Sequence, residues 1–252
     1  MRSSVFHLVV TGYAGAGKSE LVRFLLDKYS DRCSGVKCSM FNYDVADFLD
    51  NDDSGRRASD AALDSVRDEV IFTPSSAVHS FLATVFTNLT SNASALKILG
   101  FNYDKLAHLV LHDACGVKTL QERDRLATEV FKEPEKLESL EMLIHPAVYA
   151  LAGRIFEVAR AECSSPNSPD DVTLVVIHEI PLWWETRELF MQKFSQDPDC
   201  VVVLTVDEKT QTCRLLARGY SLDRIVRIRQ KQLKLKDWED IQTTARETIS
   251  MF

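Results

Sequence analysis

Short runs of apolar, mostly β-branched residues recur along the chain, and longer stretches between them repeat their apolar residues at helical spacing. Three short runs predict buried strands, at residues 5–11, 172–180 and 200–206, and a fourth, weaker one covers residues 36–43. Strands that alternate with helices are typical of a parallel sheet with helices on both faces. The pattern therefore predicts an α/β protein.

The segment between residues 48 and 131 breaks this alternation. It is mostly helical in pattern, as in SSAVHSFLATVFTNL and DKLAHLVLHDAC, and it offers no convincing strand. Further helices are predicted at residues 19–29, 137–163, 184–195 and 208–217. We therefore expect a core made of residues 1–47 and 164–252, interrupted by a helical insertion at residues 48–163.

Composition narrows the function class. The 252 residues are 45% hydrophobic and 27% charged, which is enough apolar material for one large domain or one domain with an insertion. A net charge of −7 argues against a general nucleic-acid or membrane-surface binder. The six cysteines are scattered, without a zinc-type spacing, and no apolar run predicts a membrane span or a signal peptide. These features predict a cytoplasmic protein with reduced thiols.

The stretch VVTGYAGAGKSELVRFLL, residues 9–26, carries the strongest motif. It matches GxxxxGK[ST] between a predicted strand and a predicted helix; the motif residues are Gly12, Tyr13, Ala14, Gly15, Ala16, Gly17, Lys18 and Ser19. Glycines let backbone N–H groups turn towards phosphates, the lysine reaches the β- and γ-phosphates, and the serine hydroxyl binds Mg²⁺. The motif predicts ATP and Mg²⁺ as ligands. A GTPase is disfavoured because no NKxD-type base-recognition motif is present.

Two acidic positions are candidates for the acceptor side of a phosphoryl transfer. Asp44 follows the second predicted strand in FNYDVADFL, with Asp47 about one helical turn later. Asp44 could accept a hydroxyl proton or hold Mg²⁺ through water, or it could only cap a helix. Glu179 ends a buried strand, where it resembles a Walker B carboxylate.

Arg214 and Arg218 lie four residues apart, on one face of a predicted helix that follows the last strand. Two guanidinium groups on one face can clamp a polyphosphate, although exposed helix charges are the plainer interpretation. Their position after the last strand favours a lid over the nucleotide at about residues 214–236.

Several of these motifs together resemble the dephospho-coenzyme A kinase family of nucleoside-monophosphate-kinase-like P-loop proteins. TGYAGAGKS is similar to that family's TGGIGSGKS, NYDVA to DADxIA, HEIPLWWE to DIPLLFE, and TQTCRLLARGYS to TQxxRLxxRxGLS. The block ERDRLATEVFKEPEKLESLEMLIHPAV resembles a long family motif that ends in His-Pro. The sequence departs from the family pattern at Asn42, where the family has an aspartate, and no family-like strand is expected after Gln232.

The resemblance implies a three-layer P-loop kinase fold with a parallel sheet, a helical substrate-binding insertion and a helical lid. It implies transfer of the ATP γ-phosphate to the ribose 3′-hydroxyl of dephospho-coenzyme A. Lys18 and Asp44 would be catalytic, Ser19 and Glu179 would hold Mg²⁺, and the phosphate loop with Arg214 and Arg218 would bind ATP. The acceptor would contact Asp44, Arg123, His145 and Pro181.

Three alternatives stay open on the sequence alone. The acceptor could be another nucleoside or small metabolite. The protein could also be a nucleotide-binding pseudoenzyme, although Lys18, Ser19 and Asp44 are present. His145-Pro146 could mark only the start of a helix, since proline is favoured there. The expected partner is a small molecule rather than nucleic acid or a membrane, and a monomer is favoured.

Overall fold

The computed structural model describes residues 4–30, 39–40, 76–117, 119–130, 133–165, 171–231 and 248–251. The strands are β1 Ser4–Gly12, β2 Ser39–Met40, β3 Ala95–Asn102, β4 Val172–Glu179, β5 Cys200–Leu204 and β6 Thr248–Met251. The helices are α1 Lys18–Ser30, α2 Ser76–Ser91, α3 Tyr103–Cys115, α4 Leu120–Val130, α5 Pro134–Cys163, α6 Trp183–Phe194, α7 Glu208–Ala217 and α8 Leu222–Lys231.

The described strands form one six-stranded sheet in the order β2-β3-β4-β1-β5-β6, and every pairing is parallel. Helices α1 and α2 pack on one face, through residues such as Leu21 and Phe86. Helices α3, α5 and α6 cover the other face, through residues such as Leu106, Phe156 and Phe190. The predicted α/β class with a parallel sheet between helical layers is confirmed.

Strand β3 corrects the prediction that residues 48–131 contain no strand. It pairs with β4 along its whole length, from Ala95 opposite Val172 to Asn102 opposite Glu179. Its apolar residues are buried on both faces of the sheet, so polar and apolar positions do not alternate. A short strand buried on both faces cannot be told from a buried helix by periodicity. Residues 95–102 therefore belong to the core sheet, and the rest of the proposed division at 48–163 stays a prediction.

The sequence predicts no family-like strand after Gln232, but the structure has a short strand there, β6. Thr248–Met251 pairs in parallel with β5, from Val201 opposite Thr248 to Leu204 opposite Met251. The strand has four residues and lies at the edge of the sheet, where a single neighbour supplies its hydrogen bonds. So short a run carries little periodic signal, which is why the sequence pattern did not reveal it.

Helix α5 is 30 residues long and continues through Pro146. His145-Pro146 therefore lies well inside the helix, and the alternative that it marks a helix start is wrong; Pro134 occupies that position instead. Among the described residues, only this helix has the length and mean hydropathy of a membrane span. Its buried side, including Ile144, Tyr149 and Phe156, packs in the core against the sheet.

Candidate active site

The phosphate loop connects β1 to α1 at the carboxyl edge of the sheet. Gly12, Gly15 and Gly17 have φ angles of +126°, +76° and +96°, which side chains rarely allow. At Gly12 a Cβ atom would lie 2.0 Å from the carbonyl oxygen of Leu204, so only glycine fits there. Helix α1 then begins at Lys18, and its first-turn N–H groups and dipole favour an anion in the loop.

Lys18 is a buried cation, only 9% exposed. Its ammonium group donates hydrogen bonds to the carbonyl oxygens of Gly12, at 2.9 Å, and Tyr13, at 3.0 Å. Burial is the main reason that the pKa of Lys18 is lowered; the charge of Arg218 lowers it further, and Asp104 and Glu179 act in the opposite direction. A positive charge held away from water, with carbonyls for neighbours, is a strong attractant for a phosphate group.

Glu179 joins two other side chains at the carboxyl ends of neighbouring strands. Ser19 donates its hydroxyl to Glu179 Oε1 at 2.5 Å, and the Asn102 amide donates to Glu179 Oε2 at 2.8 Å. Burial raises the pKa of Glu179, while the hydrogen bonds from Ser19 and Asn102 and the charge of Lys18 lower it. The structure thus brings together the two predicted Mg²⁺ ligands, Ser19 and Glu179, although they are distant in sequence.

Asp104 is a carboxylate that the sequence interpretation missed. It lies in the first turn of α3, an exposed position whose charge acts on both Lys18 and Glu179. The preceding Asn102 caps α3, because its side-chain oxygen accepts a hydrogen bond from the Lys105 N–H at 2.9 Å. Asp104 is therefore close enough to the phosphate loop and to Glu179 for its charge to act on both Lys18 and Glu179.

A sequence signal for Asp104 was present. The tetrapeptide Phe-Asn-Tyr-Asp occurs twice, ending at Asp44 and at Asp104. The first copy was selected because it follows a predicted strand, whereas the strand before the second copy went unrecognised. Asp44 and Asp47 lie outside the described residues.

Helix α7 lies against the phosphate loop. Arg214 donates to the Gly15 carbonyl oxygen at 2.9 Å, and the Gln211 amide donates to the Ala14 carbonyl oxygen at 2.9 Å. Arg229 on α8 donates in turn to Gln211 Oε1 at 2.8 Å, which ties α8 to α7. The predicted lid region is thus connected to the loop through side chains of both helices.

Arg218 caps the carboxyl end of α7 and is exposed. Its charge lowers the pKa of Lys18 and also that of Arg214, for which burial is the larger cause. Arg218 therefore repels both Lys18 and Arg214. An anion placed among them would remove that repulsion.

The remaining predicted acceptor contacts lie on other elements. His145 lines a cavity of about 280 Å³ formed by Glu138, Glu141, Met142, His145, Pro146 and Leu189. Burial lowers the pKa of His145, and the charges of Glu141 and Glu185 oppose that shift. Pro181 lies in the turn between β4 and α6, and the backbone of Arg123 lies in α4. Where the structure describes the side chains, neither His145 nor Pro181 forms a hydrogen bond with the phosphate loop.

Comparison with known proteins gives one family. The family model described as dephospho-CoA kinase matches residues 103–243, more than half of the chain. The match begins at Tyr103, so it includes Asp104 and leaves out Asp44.

Two curated relatives carry the same description. A dephospho-CoA kinase of Syntrophus aciditrophicus is 28% identical over 152 residues, covering 54% of this chain and 59% of that protein. A dephospho-CoA kinase of Bradyrhizobium diazoefficiens is 31% identical over 98 residues, covering 39% of this chain and 42% of that protein. The chain thus spans less than two thirds of the length of either relative. A crystal structure of TT1252 from Thermus thermophilus is 17% identical with a TM-score of 0.45, covering 99% of this chain and 90% of that one.

Proposed function

The chain belongs to the dephospho-CoA kinase family, and we propose that it transfers the γ-phosphoryl group of ATP to the ribose 3′-hydroxyl of dephospho-coenzyme A. One observation supports this best. Lys18 and Arg214 both donate to carbonyl oxygens of the phosphate loop, and the charges of Arg218, Glu179 and Asp104 all act on Lys18. This is the charge arrangement that phosphoryl transfer requires.

On the donor side, the protein's part is to hold and neutralise phosphates. The loop backbone and the start of α1 supply N–H donors, and Lys18 supplies a buried charge. Arg214 and Arg218 supply planar guanidinium groups, which suit phosphate oxygens. Because the loop is already folded, with α7 hydrogen-bonded to it, little ordering would be needed when ATP binds.

The residues present also suit Mg²⁺. This ion prefers oxygen ligands, and the hydroxyl of Ser19 and the carboxylate of Glu179 lie together at the start of α1 and the end of β4. When bound, Mg²⁺ neutralises charge on the phosphate oxygens. The Ser19–Glu179 hydrogen bond would have to open, and Asn102 would keep Glu179 oriented through its bond to the other carboxylate oxygen.

On the acceptor side, Asp104 is the general base of the proposed reaction. As the 3′-oxygen forms its bond to the γ-phosphorus, the bond from that phosphorus to the bridging oxygen of ADP breaks. The hydroxyl proton passes to the Asp104 carboxylate. The position of Asp104 supports this role, because its charge acts on Lys18 and Glu179. Asp44 remains the alternative base.

The acceptor itself is proposed to extend over α4, α5 and the turn after β4, contacting Arg123, His145 and Pro181. The cavity beside His145 is lined by Glu138 and Glu141. Two carboxylates repel phosphate, so the cavity suits an uncharged part of the acceptor, such as an amide-containing arm. We also propose that the protein acts as a monomer in the cytoplasm on this small molecule.

A coupled assay that follows ADP release tests the proposal. With ATP, Mg²⁺ and dephospho-coenzyme A, we expect steady turnover that stops when the metal is chelated. Adenosine and other nucleosides in place of dephospho-coenzyme A separate the proposal from another small-molecule kinase. Identification of 3′-phosphorylated product by mass spectrometry and NMR completes the assignment. Turnover with a nucleoside but not with dephospho-coenzyme A would overturn it, and ATP binding without any transfer would indicate a pseudoenzyme.

A further inference from the structure

Three hydrogen-bonding side chains form a buried chain beneath the candidate active site. The hydroxyl of Tyr103 lies 3.1 Å from His178 Nδ1, and His178 Nε2 lies 2.8 Å from His7 Nδ1. Tyr103, His178 and His7 are 5%, 0% and 1% exposed. We refer to these three residues as the buried triad. None of them takes part in the proposed reaction as a donor or acceptor of the transferred group.

The surroundings of the buried triad are aromatic. Phe190 and Phe194 lie with their ring centroids 5.0 Å from that of His178, and Phe156 lies 5.5 Å from His7. Replacing both partners of a buried hydrogen bond with apolar groups of the same shape is often nearly neutral for stability. Because apolar side chains of the same shape would give a cluster of similar stability, we look to the geometry that the hydrogen bonds of the buried triad impose.

Each member of the buried triad is close in sequence to a group of the candidate site. Tyr103 stands between Asn102 and Asp104, and His178 directly precedes Glu179. His7 lies on β1, the strand that leads into the phosphate loop. The sheet register places Asn102 opposite Glu179 across β3 and β4. The buried triad thus joins the three segments that carry the loop, the Mg²⁺ ligand and the acceptor-side carboxylate.

We propose that the buried triad positions Asp104 and Glu179 relative to the phosphate loop, and that Tyr103 is a positioning residue for phosphoryl transfer. An apolar contact allows sliding, whereas a hydrogen bond restrains both distance and direction. The bond from Tyr103 to His178 restrains the first turn of α3 against the end of β4. The bond from His178 to His7 restrains β4 against β1. The kinetic consequence rests on the proposed function.

The chain offers a matched control for this proposal. Tyr149 is another buried tyrosine in the same cluster, and its hydroxyl lies 2.9 Å from Thr186 Oγ1. Its ring centroid is 5.0 Å from that of Tyr103, but its bond joins α5 to α6 rather than the strand ends. Tyr103→Phe and Tyr149→Phe therefore each remove one buried hydroxyl, and only the first removes it from the buried triad.

We expect Tyr103→Phe to lower kcat about tenfold with the KM for ATP unchanged, because misplaced reacting groups slow transfer without weakening nucleotide binding. Tyr149→Phe should leave kcat within about twofold of wild type, while its change in Tm is similar to that of Tyr103→Phe.

His178→Leu should lower kcat at least as much as Tyr103→Phe does. Adding Tyr103→Phe to His178→Leu should lower kcat no further. His178→Asn, whose side-chain oxygen can occupy the Nδ1 position, should restore part of the loss. Equal kcat for the two tyrosine variants would overturn the proposal.

Hydrogen exchange tests the positioning without any turnover. Two backbone amides report on the site: the Lys105 N–H, bonded to Asn102, and the Ile180 N–H, bonded to the Val10 carbonyl oxygen at 3.0 Å. Both should exchange faster in Tyr103→Phe than in Tyr149→Phe. If wild-type protein fails to phosphorylate dephospho-coenzyme A, the proposed function falls, and these amides still decide the positioning. Unchanged exchange at both amides in Tyr103→Phe would overturn it.

Discussion

The donor side and the acceptor side of the candidate site are built differently. The donor side is mostly contiguous, since Gly12 to Ser19 form one loop and one helix start. The proposed acceptor side is assembled from Asn102 at the end of β3, Asp104 in the first turn of α3 and Glu179 at the end of β4, which come close because the two strands are neighbours. A contiguous site is visible as a motif. An assembled site depends on which strand is identified before each carboxylate.

Among the variants considered, loss of Lys18 should lower the rate of phosphoryl transfer most, because Lys18 is the buried charge of the donor side. Lys18→Ala is expected to lower kcat/KM about a thousandfold with the fold retained, since the lysine stabilises charge that moves during transfer. Lys105→Ala, which removes an exposed lysine on α3, is the matched control and should stay near wild type. Near-normal turnover in a folded Lys18→Ala protein would show that the phosphate loop does not carry the transfer reaction.

The repeated tetrapeptide provides the sharpest test of the acceptor side. Asp104→Asn keeps the shape of the side chain but removes its ability to accept a proton, so kcat should fall about a hundredfold or more with little change in ATP affinity. Asp44→Asn makes the same change in the other Phe-Asn-Tyr-Asp copy and should be mild. If Asp44→Asn lowers kcat strongly and Asp104→Asn does not, the general base is Asp44, as the sequence predicts.

His7 of the buried triad should make the free energy of unfolding depend on pH. Burial lowers the pKa of His7 from 6.5 to about 4. Between these values the unfolded state binds more protons than the folded state, so stability is full above about pH 6.5 and falls as the pH drops towards 4. Between pH 7 and pH 4.5 the loss from this group amounts to about 2 kcal/mol. Urea denaturation of wild type and His7→Leu at pH 7 and pH 4.5 measures it. If the free energy of unfolding falls equally in wild type and in His7→Leu, His7 is not the group responsible for the pH dependence.

The smallest expected effect is at the lid. Arg218 is exposed, so Arg218→Ala should cost little stability, but it should lower kcat about tenfold if the side chain binds phosphate. Lys209→Ala, an exposed change at the start of the same helix, should leave kcat unchanged.

Exchange measurements address the motion of the lid. We predict that residues 214–232 gain protection when an ATP analogue binds. The bonds from Arg214 and Gln211 to the phosphate loop already hold α7, so the gain should be larger in α8. Equal protection with and without the analogue would identify these helices as fixed structure rather than a lid.

The sequence by itself determined the elements whose signals are local. The phosphate loop, β1, β4, β5 and α7 lie close to their predicted positions, because hydrophobic periodicity, glycines and helix starts act over a few neighbouring residues. The α/β class follows from the same local signals. Glu179 could be identified from the sequence as a candidate Mg²⁺ ligand because it ends a predicted buried strand, as a Walker B carboxylate does.

Tertiary structure decided the elements whose neighbours are distant in sequence. Strand β3 is recognised by its pairing with β4 and by burial on both faces, and β6 by its pairing with β5. The second Phe-Asn-Tyr-Asp copy lies at the end of β3, where Asn102 is opposite Glu179, and this supports Asp104 as the proposed base; the first copy lies outside the described residues. The buried triad likewise joins residues 7, 103 and 178 through side chains that have no spacing in common. Such contacts arise from chain folding over long separations, which local propensities do not encode.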